Sequence, residues 1–266
     1  MKPVSTNDMV TRDELIAFIN KIIGSELLAK AAQKDEMANG VQILGGENVK
    51  VVTFGVSLNE EILQKAVKKG SNFCIFHHGF DVRTVNSRYS LSAQKRLRLI
   101  FQNDITIMSL HYVLDTHPVI GNNAQIIKLM GARLGESLFD EWGYVGHFNK
   151  PTNLDALRAR CREIFKREIL AFDYGSENVR TIGVVSGAGK PYQAEFEEIR
   201  EKGVELFISG ETSESVPHKM KENGMNYFVC GHYATEVFGV KALGKKIEEQ
   251  FAGRLAIEFI DVPNPI

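Results

Sequence analysis

Apolar residues at positions 15, 16, 18, 19, 22 and 23 fall on one helical face, and Thr11 with Glu14 forms a capping-box pattern, so the chain predicts an amphipathic helix over Thr11 to Ile23. A polar stretch follows. Asn39 to Gly46 then reads as a short apolar run between two turns, an edge strand. Val49 to Val56 is rich in branched residues and predicts a strand; Asn59 caps a helix that runs through Lys69 and stops at Gly70. Asn72 to Gly79 is a buried strand running directly into His77 and His78. Neighbouring side chains on a strand point to opposite faces, so both histidines serve one site only at the strand end or in the loop.

A polar loop with Arg83 and Arg88 leads to a helix over Ser90 to Gln102, a strand over Ile105 to Leu110, and then His111 to Asp115. A helix over Asn122 to Met130 precedes a connecting region, Gly131 to Lys150, that holds Trp142. The second half predicts helices over Asn153 to Phe165, Ala194 to Lys202 and Ser215 to Asn223, and strands at Val179 to Ser186 and Leu206 to Ser209. The apolar run from Tyr227 breaks at Gly231 and restarts as a helix carrying His232 and Glu236, four residues apart on one face. A last helix, Val240 to Phe251, and a strand, Leu255 to Ile260, close the chain.

The two halves repeat. Asn48 to Ser57 matches Asn178 to Ser186; each is followed by a helix, a glycine (Gly70, Gly203) and a short apolar strand. Ile105 to Asp115 then corresponds to Met225 to Glu236, aligning His111 with His232 and Asp115 with Glu236. The period is far too long for a solenoid. It predicts an α/β fold of two related three-layer units from an internal duplication, with mainly parallel sheets and a metal site in the cleft between them. The expected division is 1–125 completed by 237–266, and 126–236.

Composition narrows the partners. At 266 residues and 44% hydrophobic content the chain can bury one large core or two ordinary ones. A net charge of −1 with no Lys/Arg block gives no signal for nucleic acid or an anionic membrane surface. No run approaches the roughly 20 apolar residues of a membrane span, and Met1 to Met9 lacks a signal-peptide core, so the expected location is cytoplasmic. Cys74, Cys161 and Cys230 are far apart with no Cys-x-x-Cys spacing, against a disulfide framework or a thiolate zinc site.

His77, His78, Asp115, His232 and Glu236 form a nitrogen-and-oxygen set suited to Zn, Mn, Fe or Ni. Five such residues exceed the needs of one open catalytic ion; two divalent ions would use them all and leave room for water. Taken singly, each has a plainer reading as a strand-end turn, a helix cap or a helix-surface pair, and joint placement at equivalent strand ends favours the site. Glu211 is a general base or a helix cap, and His111 orients a ligand or packs in the core. Ser186-Gly-Ala-Gly189 fails the phosphate-loop spacing and is an anion nest or a tight turn. His117, His147 and His218 are surface or structural residues.

The series Asn39-Gly-Val-Gln42, Ile75-Phe-His-His-Gly79, Ser109-Leu-His-Tyr-Val-Leu-Asp115, Ser186-Gly-Ala-Gly189, Ile208-Ser-Gly-Glu211 and Gly231-His-Tyr-Ala-Thr-Glu236 resembles the Ngg-interacting-factor-three-like family, the GTP cyclohydrolase I type 2 homologues, nearly end to end. By that resemblance His77, His78, Asp115, His232 and Glu236 fall on the family's dinuclear metal ligands, and the assembly is a toroidal homohexamer. The family usually writes Ala-His-Thr-Asn-Leu-Asp where this chain has Leu110-His-Tyr-Val-Leu-Asp115, a departure that bears on pocket size and substrate. The residues themselves read as a metal-dependent hydrolase in which Glu211 or His111 moves protons, and the resemblance implies nucleotide ring opening as its reaction. The rival is a non-catalytic metal-binding scaffold.

Overall fold

A computed structural model describes residues 9–84 and 86–266. Residues 1–8, where the sequence shows no signal-peptide core, lie outside the described residues. In chain order the first elements are β1 (Val10–Thr11), α1 (Arg12–Ile23), α2 (Ser25–Lys34), β2 (Asn39–Ile43), β3 (Asn48–Val49), β4 (Val51–Ser57), α3 (Glu60–Lys68), β5 (Phe73–His78), α4 (Leu91–Gln102), β6 (Thr106–Leu110) and α5 (Tyr112–Thr116). There follow α6 (Asn122–Leu129), β7 (Arg133–Leu138), β8 (Gly143–Asn153), α7 (Leu154–Phe165), β9 (Leu170–Phe172), β10 (Asn178–Val185), α8 (Gln193–Glu201), β11 (Leu206–Ser209), α9 (Ser215–Glu222), β12 (Asn226–Val229), α10 (His232–Gln250) and β13 (Ala256–Phe259). The chain divides into two compact units, Met1–Leu114 with Val240–Val262, and Asp115–Gly239 with Pro263–Ile266.

The first unit is built on a five-stranded sheet in the order β13-β4-β5-β6-β2. β13, β4, β5 and β6 pair in parallel, and β2 closes one edge antiparallel to β6. Its helices start where the caps require: Thr11 accepts from the Glu14 amide at 3.1 Å and Asn59 from the Ile62 amide at 2.9 Å. One face of the sheet buries Cys74, Phe76 and Ile107 with Ile62, Leu63 and Ile100 from α3 and α4. On the other, α10 lies against the Phe54 ring at Gly244, where a Cβ would sit 3.4 Å from it, in ordinary contact.

The second unit carries a six-stranded sheet, β7-β8-β10-β11-β12-β9. Alternation along its central strands sorts the core into two clusters: Leu206, Ile208 and Phe228 join Leu157 and Cys161 of α7, whereas Phe207 and Tyr227 join Phe196 and Ile199 of α8. Helices therefore cover both faces. Phe207 is fully buried, and truncating such a side chain to alanine costs about 3–5 kcal/mol.

The repeat read from sequence appears in the topology. β4-α3-β5-α4-β6 and β10-α8-β11-α9-β12 are both right-order parallel runs, and an antiparallel edge strand (β2, β9) flanks the third strand of each. Three expectations change. The polar stretch after α1 holds a second helix, α2. The region 131–150 is a hairpin, β7 and β8, which with β9 makes the second sheet mixed, not mainly parallel. Finally, the helix carrying His232 and the one expected from Val240 are a single 19-residue helix, because Gly239 is absorbed without a break.

Candidate metal centre

In the first unit, the end of β5 is strapped by its neighbour. Ser109 Oγ donates to the His77 carbonyl at 3.1 Å and accepts from the Gly79 amide at 3.0 Å. Gln42, in edge strand β2, accepts from the Phe80 amide at 2.7 Å and donates to its carbonyl at 2.8 Å. Held this way, the last two strand residues turn their rings together. The centroids of His77 and His78 are 4.7 Å apart, and His111 joins them at 4.7 and 5.4 Å. One nitrogen from each of His77, His78 and His111 lies within 4.8 Å of the others, a group that could hold a metal ion.

The second contacts of these rings decide which nitrogen is offered. His77 Nδ1 lies 3.1 Å from the Leu110 carbonyl, which can only accept, and His111 Nδ1 lies 2.9 Å from Asp35 Oδ2. Nδ1 of each ring therefore donates, the orientation in which Nε2 would be the atom offered to a metal. His78 Nδ1 sits 2.9 Å from Ser57 Oγ, on the strand beside it. The Asp35 side chain is 4% exposed and also accepts from the Tyr112 and Met37 amides and from Asn39 Nδ2. Burial alone would raise its pKa; the hydrogen bond and charge of His111, with the other donors, instead bring it down to about 2.

The second unit supplies Asp115, His232 and Glu236. Asp115 is 6% exposed, and its Oδ1 accepts from Ser186 Oγ at 2.7 Å and Asn122 Nδ2 at 2.9 Å. Two donors on one oxygen fix the carboxylate plane. Asn123 braces the same corner, donating to the Asp115 and Trp142 carbonyls and accepting from the Ser186 amide. A carboxylate oxygen of Asp115 lies within 4.8 Å of one of Glu236. His232 Nε2 is 3.0 Å from Glu236 Oε1, and its Nδ1 is 2.6 Å from Glu211 Oε1.

A ring between two carboxylates favours positive charge. Burial by itself lowers the pKa of His232, yet Glu236 and then Glu211 raise it to about 9. The hydrogen bond from His232, against burial, lowers that of Glu211, with Lys190 Nζ 3.5 Å from its other oxygen. A divalent cation satisfies the same preference, and imidazoles with carboxylates are the donor set of Zn, Mn, Fe or Ni.

Each candidate from sequence therefore has a place. His77, His78 and His111 come together, Glu236 meets both Asp115 and His232, and Glu211 holds His232. Ser186-Gly-Ala-Gly189 is a tight turn closed from the Gly189 amide to the Ser186 carbonyl at 3.2 Å. Gly187 has φ +59°, and a Cβ there would overlap Glu236 Oε1. His117 caps a turn through the Val119 and Ile120 amides, while His147 and His218 pair with Glu136 and Glu214. Sequence reasoning passed over Asp35, Ser57, Asn122 and Asn123; Asp35 carries no residue-type signal beyond an acid beside Glu36 in a polar stretch.

The sequence profile of the family described as Duf34/NIF3 (NGG1p interacting factor 3) matches residues 10–265. A "GTP cyclohydrolase 1 type 2 homolog" of Pasteurella multocida is 32% identical over 253 residues, 93% of this chain and 98% of that protein. One of the same name from Yersinia pestis is 33% identical over 248 residues, covering 93% and 98%. The solved structure of protein ybgI, of unknown function, superposes with a TM-score of 0.85 at 30% identity, over 97% of this chain and 100% of that one. No helix among the described residues is long and apolar enough to cross a membrane.

Proposed function

The chain belongs to the Duf34/NIF3 family, and from that premise we propose that it is a divalent-metal-dependent hydrolase acting on a nucleotide or related small molecule. The observation that carries the reading is the group of three imidazoles, His77, His78 and His111, in which main-chain and side-chain oxygens hold the Nδ1 atoms and present Nε2 of His77 and His78 as ligand atoms. The name borne by the two relatives supports a cyclohydrolase-type reaction on a nucleotide.

In this reading His77, His78, Asp115, His232 and Glu236 hold two ions. Ions held there would supply Lewis acidity, lowering the pKa of a water toward neutrality. Glu211 keeps His232 oriented through Nδ1, and Ser186 with Asn122 does the same for Asp115. His111 is the residue placed to take up a proton at Nε2, because Asp35 on its Nδ1 stabilises the imidazolium that results.

Elemental analysis of the purified wild type beside a His232→Ala/Glu236→Ala double variant tests the metal. About two equivalents per chain are expected in the wild type, with a sharp loss in a folded variant. Wild type that stays metal-free after Mn, Zn, Fe or Ni is supplied overturns the reading. Loaded protein is then offered GTP and other nucleoside triphosphates; full loading without turnover of any of them would leave a metal-binding scaffold in place of a hydrolase.

A further inference from the structure

The second unit contains a cavity of about 560 Å³ whose lining includes Arg167, Ile169, Leu170, Glu211, Val229 and Gly231. Pockets of roughly 300–1,000 Å³ with a few fixed polar groups on an apolar wall are the usual size for small-molecule sites. We infer that this cavity is a binding site for a small organic anion, with Arg167 taking its carboxylate or phosphate and the apolar wall taking its body. This rests on the proposed hydrolase, for which it names the substrate class.

Arg167 carries the argument. Its Nη2 donates to the Pro265 carbonyl at 2.8 Å and its Nε to the Glu168 carbonyl at 3.3 Å, so the guanidinium fork is fixed by main chain. No carboxylate among the described residues pairs with it, although the other two charged groups of the lining are paired: Glu168 with Arg162 at 2.9 Å, and Glu211 with His232 and Lys190. Two of its five N–H groups go to those carbonyls, and a preorganised fork that keeps donors in hand matches a planar carboxylate or a phosphate. A cation held by main-chain carbonyls at a cavity wall, and in no ion pair with a carboxylate among the described residues, selects for an anion.

The glycine at 231 is part of the same construction. With φ +96° it turns the chain from β12 into α10, and a Cβ there would overlap Arg167 Nη1. The guanidinium thus lies directly against the peptide that leads into His232. Ile169, Leu170 and Val229 line the cavity beside it, and Leu170 is 59% exposed, an apolar side chain at the mouth for a ligand to cover. Glu211 belongs to the lining and holds Nδ1 of His232, so a ligand seated on Arg167 lies within one side chain of a proposed metal ligand.

The test is calorimetric titration of metal-loaded wild type, Arg167→Met and Arg167→Lys with phenyl phosphate, inorganic phosphate and phenol. Phenyl phosphate should bind wild type at least tenfold more tightly than either inorganic phosphate or phenol, because only it meets both the fork and the apolar wall. Arg167→Met should lose tenfold or more for phenyl phosphate and nothing for phenol, and Arg167→Lys should fall between, with metal content equal in all three proteins. Equal affinity for phenyl phosphate in wild type and Arg167→Met overturns the inference and leaves the metal reading standing. Loss of metal from wild type with Arg167-dependent binding intact would sink the hydrolase reading instead. If Arg167→Met does not fold, Arg167→Lys with unchanged phenyl phosphate affinity decides against the site.

Discussion

Asp35 accepts a hydrogen bond from Nδ1 of His111 at 2.9 Å across 76 residues of chain, and the same oxygen takes the Tyr112 amide at 3.1 Å. One buried carboxylate therefore sets both the tautomer of the ring and the start of α5. Asp35→Ala is expected to weaken metal retention by roughly 10-fold, because the ring it releases lies against the proposed ligands His77 and His78. Asp35→Asn should lose far less, since its amide oxygen still accepts from Nδ1. Elemental analysis after dialysis against a graded chelator distinguishes them, and an Asp35→Ala protein that holds metal as well as wild type would refute the role.

Gly187 and Gly203 make a matched pair. Their φ values are +59° and +61°, but a Cβ at 187 would overlap Glu236 Oε1 whereas one at 203 meets nothing within 4 Å. Alanine at either position costs about 1–2 kcal/mol of backbone strain. Only Gly187→Ala should also displace Glu236 and lower metal content. Thermal unfolding and metal analysis of both variants provide the check; equal metal in the two would mean that Glu236 tolerates the intrusion or holds no ion.

Ser186 donates to Asp115 Oδ1 at 2.7 Å inside a corner closed by Asn122 and Asn123. A hydrogen bond to a charged group contributes about 1.5–3 kcal/mol, so Ser186→Ala should be measurably less stable in denaturant titration. It should also retain metal less well, by roughly tenfold or more, because Asp115 loses a donor that orients its carboxylate. A variant as stable and as well loaded as wild type would show that the Ser186 hydroxyl is incidental.

What could be read from sequence were features with local signals. Thr11, Asn59, Ser90 and Asn153 cap helices through their own side chains, so those boundaries were legible. His77 and His78, Glu211 and His232 stand at strand ends marked by Gly79, Gly210 and Gly231, which exposed the candidate site. The β7–β8 hairpin was hidden because Gly135, Gly143 and Gly146 occupy places where a Cβ would overlap His147, Val185 and Ile127, which removes the apolar alternation that marks a strand. Asp35 was hidden because its partner lies 76 residues away, and no spacing rule reaches that far.

The cysteines give a prediction about alkaline pH. Cys74 is fully buried, and desolvation pushes its thiol from 9.0 up to about 12; burial likewise pushes Cys230 well above the ordinary range, and Cys161 is buried too. The thiolate is the reactive form, so native protein at pH 8 should react negligibly with a thiol reagent and take up three equivalents once denatured. The sign of the linkage follows. Because the folded pKa of Cys74 lies above the unfolded one, its contribution is fully present below pH 9 and is lost progressively as pH rises toward 12, where the unfolded chain ionises first. Denaturant titrations at pH 8, 9.5 and 11 should show falling stability, and Cys74→Ala should show a shallower fall than wild type. Stoichiometric labelling of folded protein at pH 8, at a rate indifferent to denaturant, would mean that these thiols are exposed in solution.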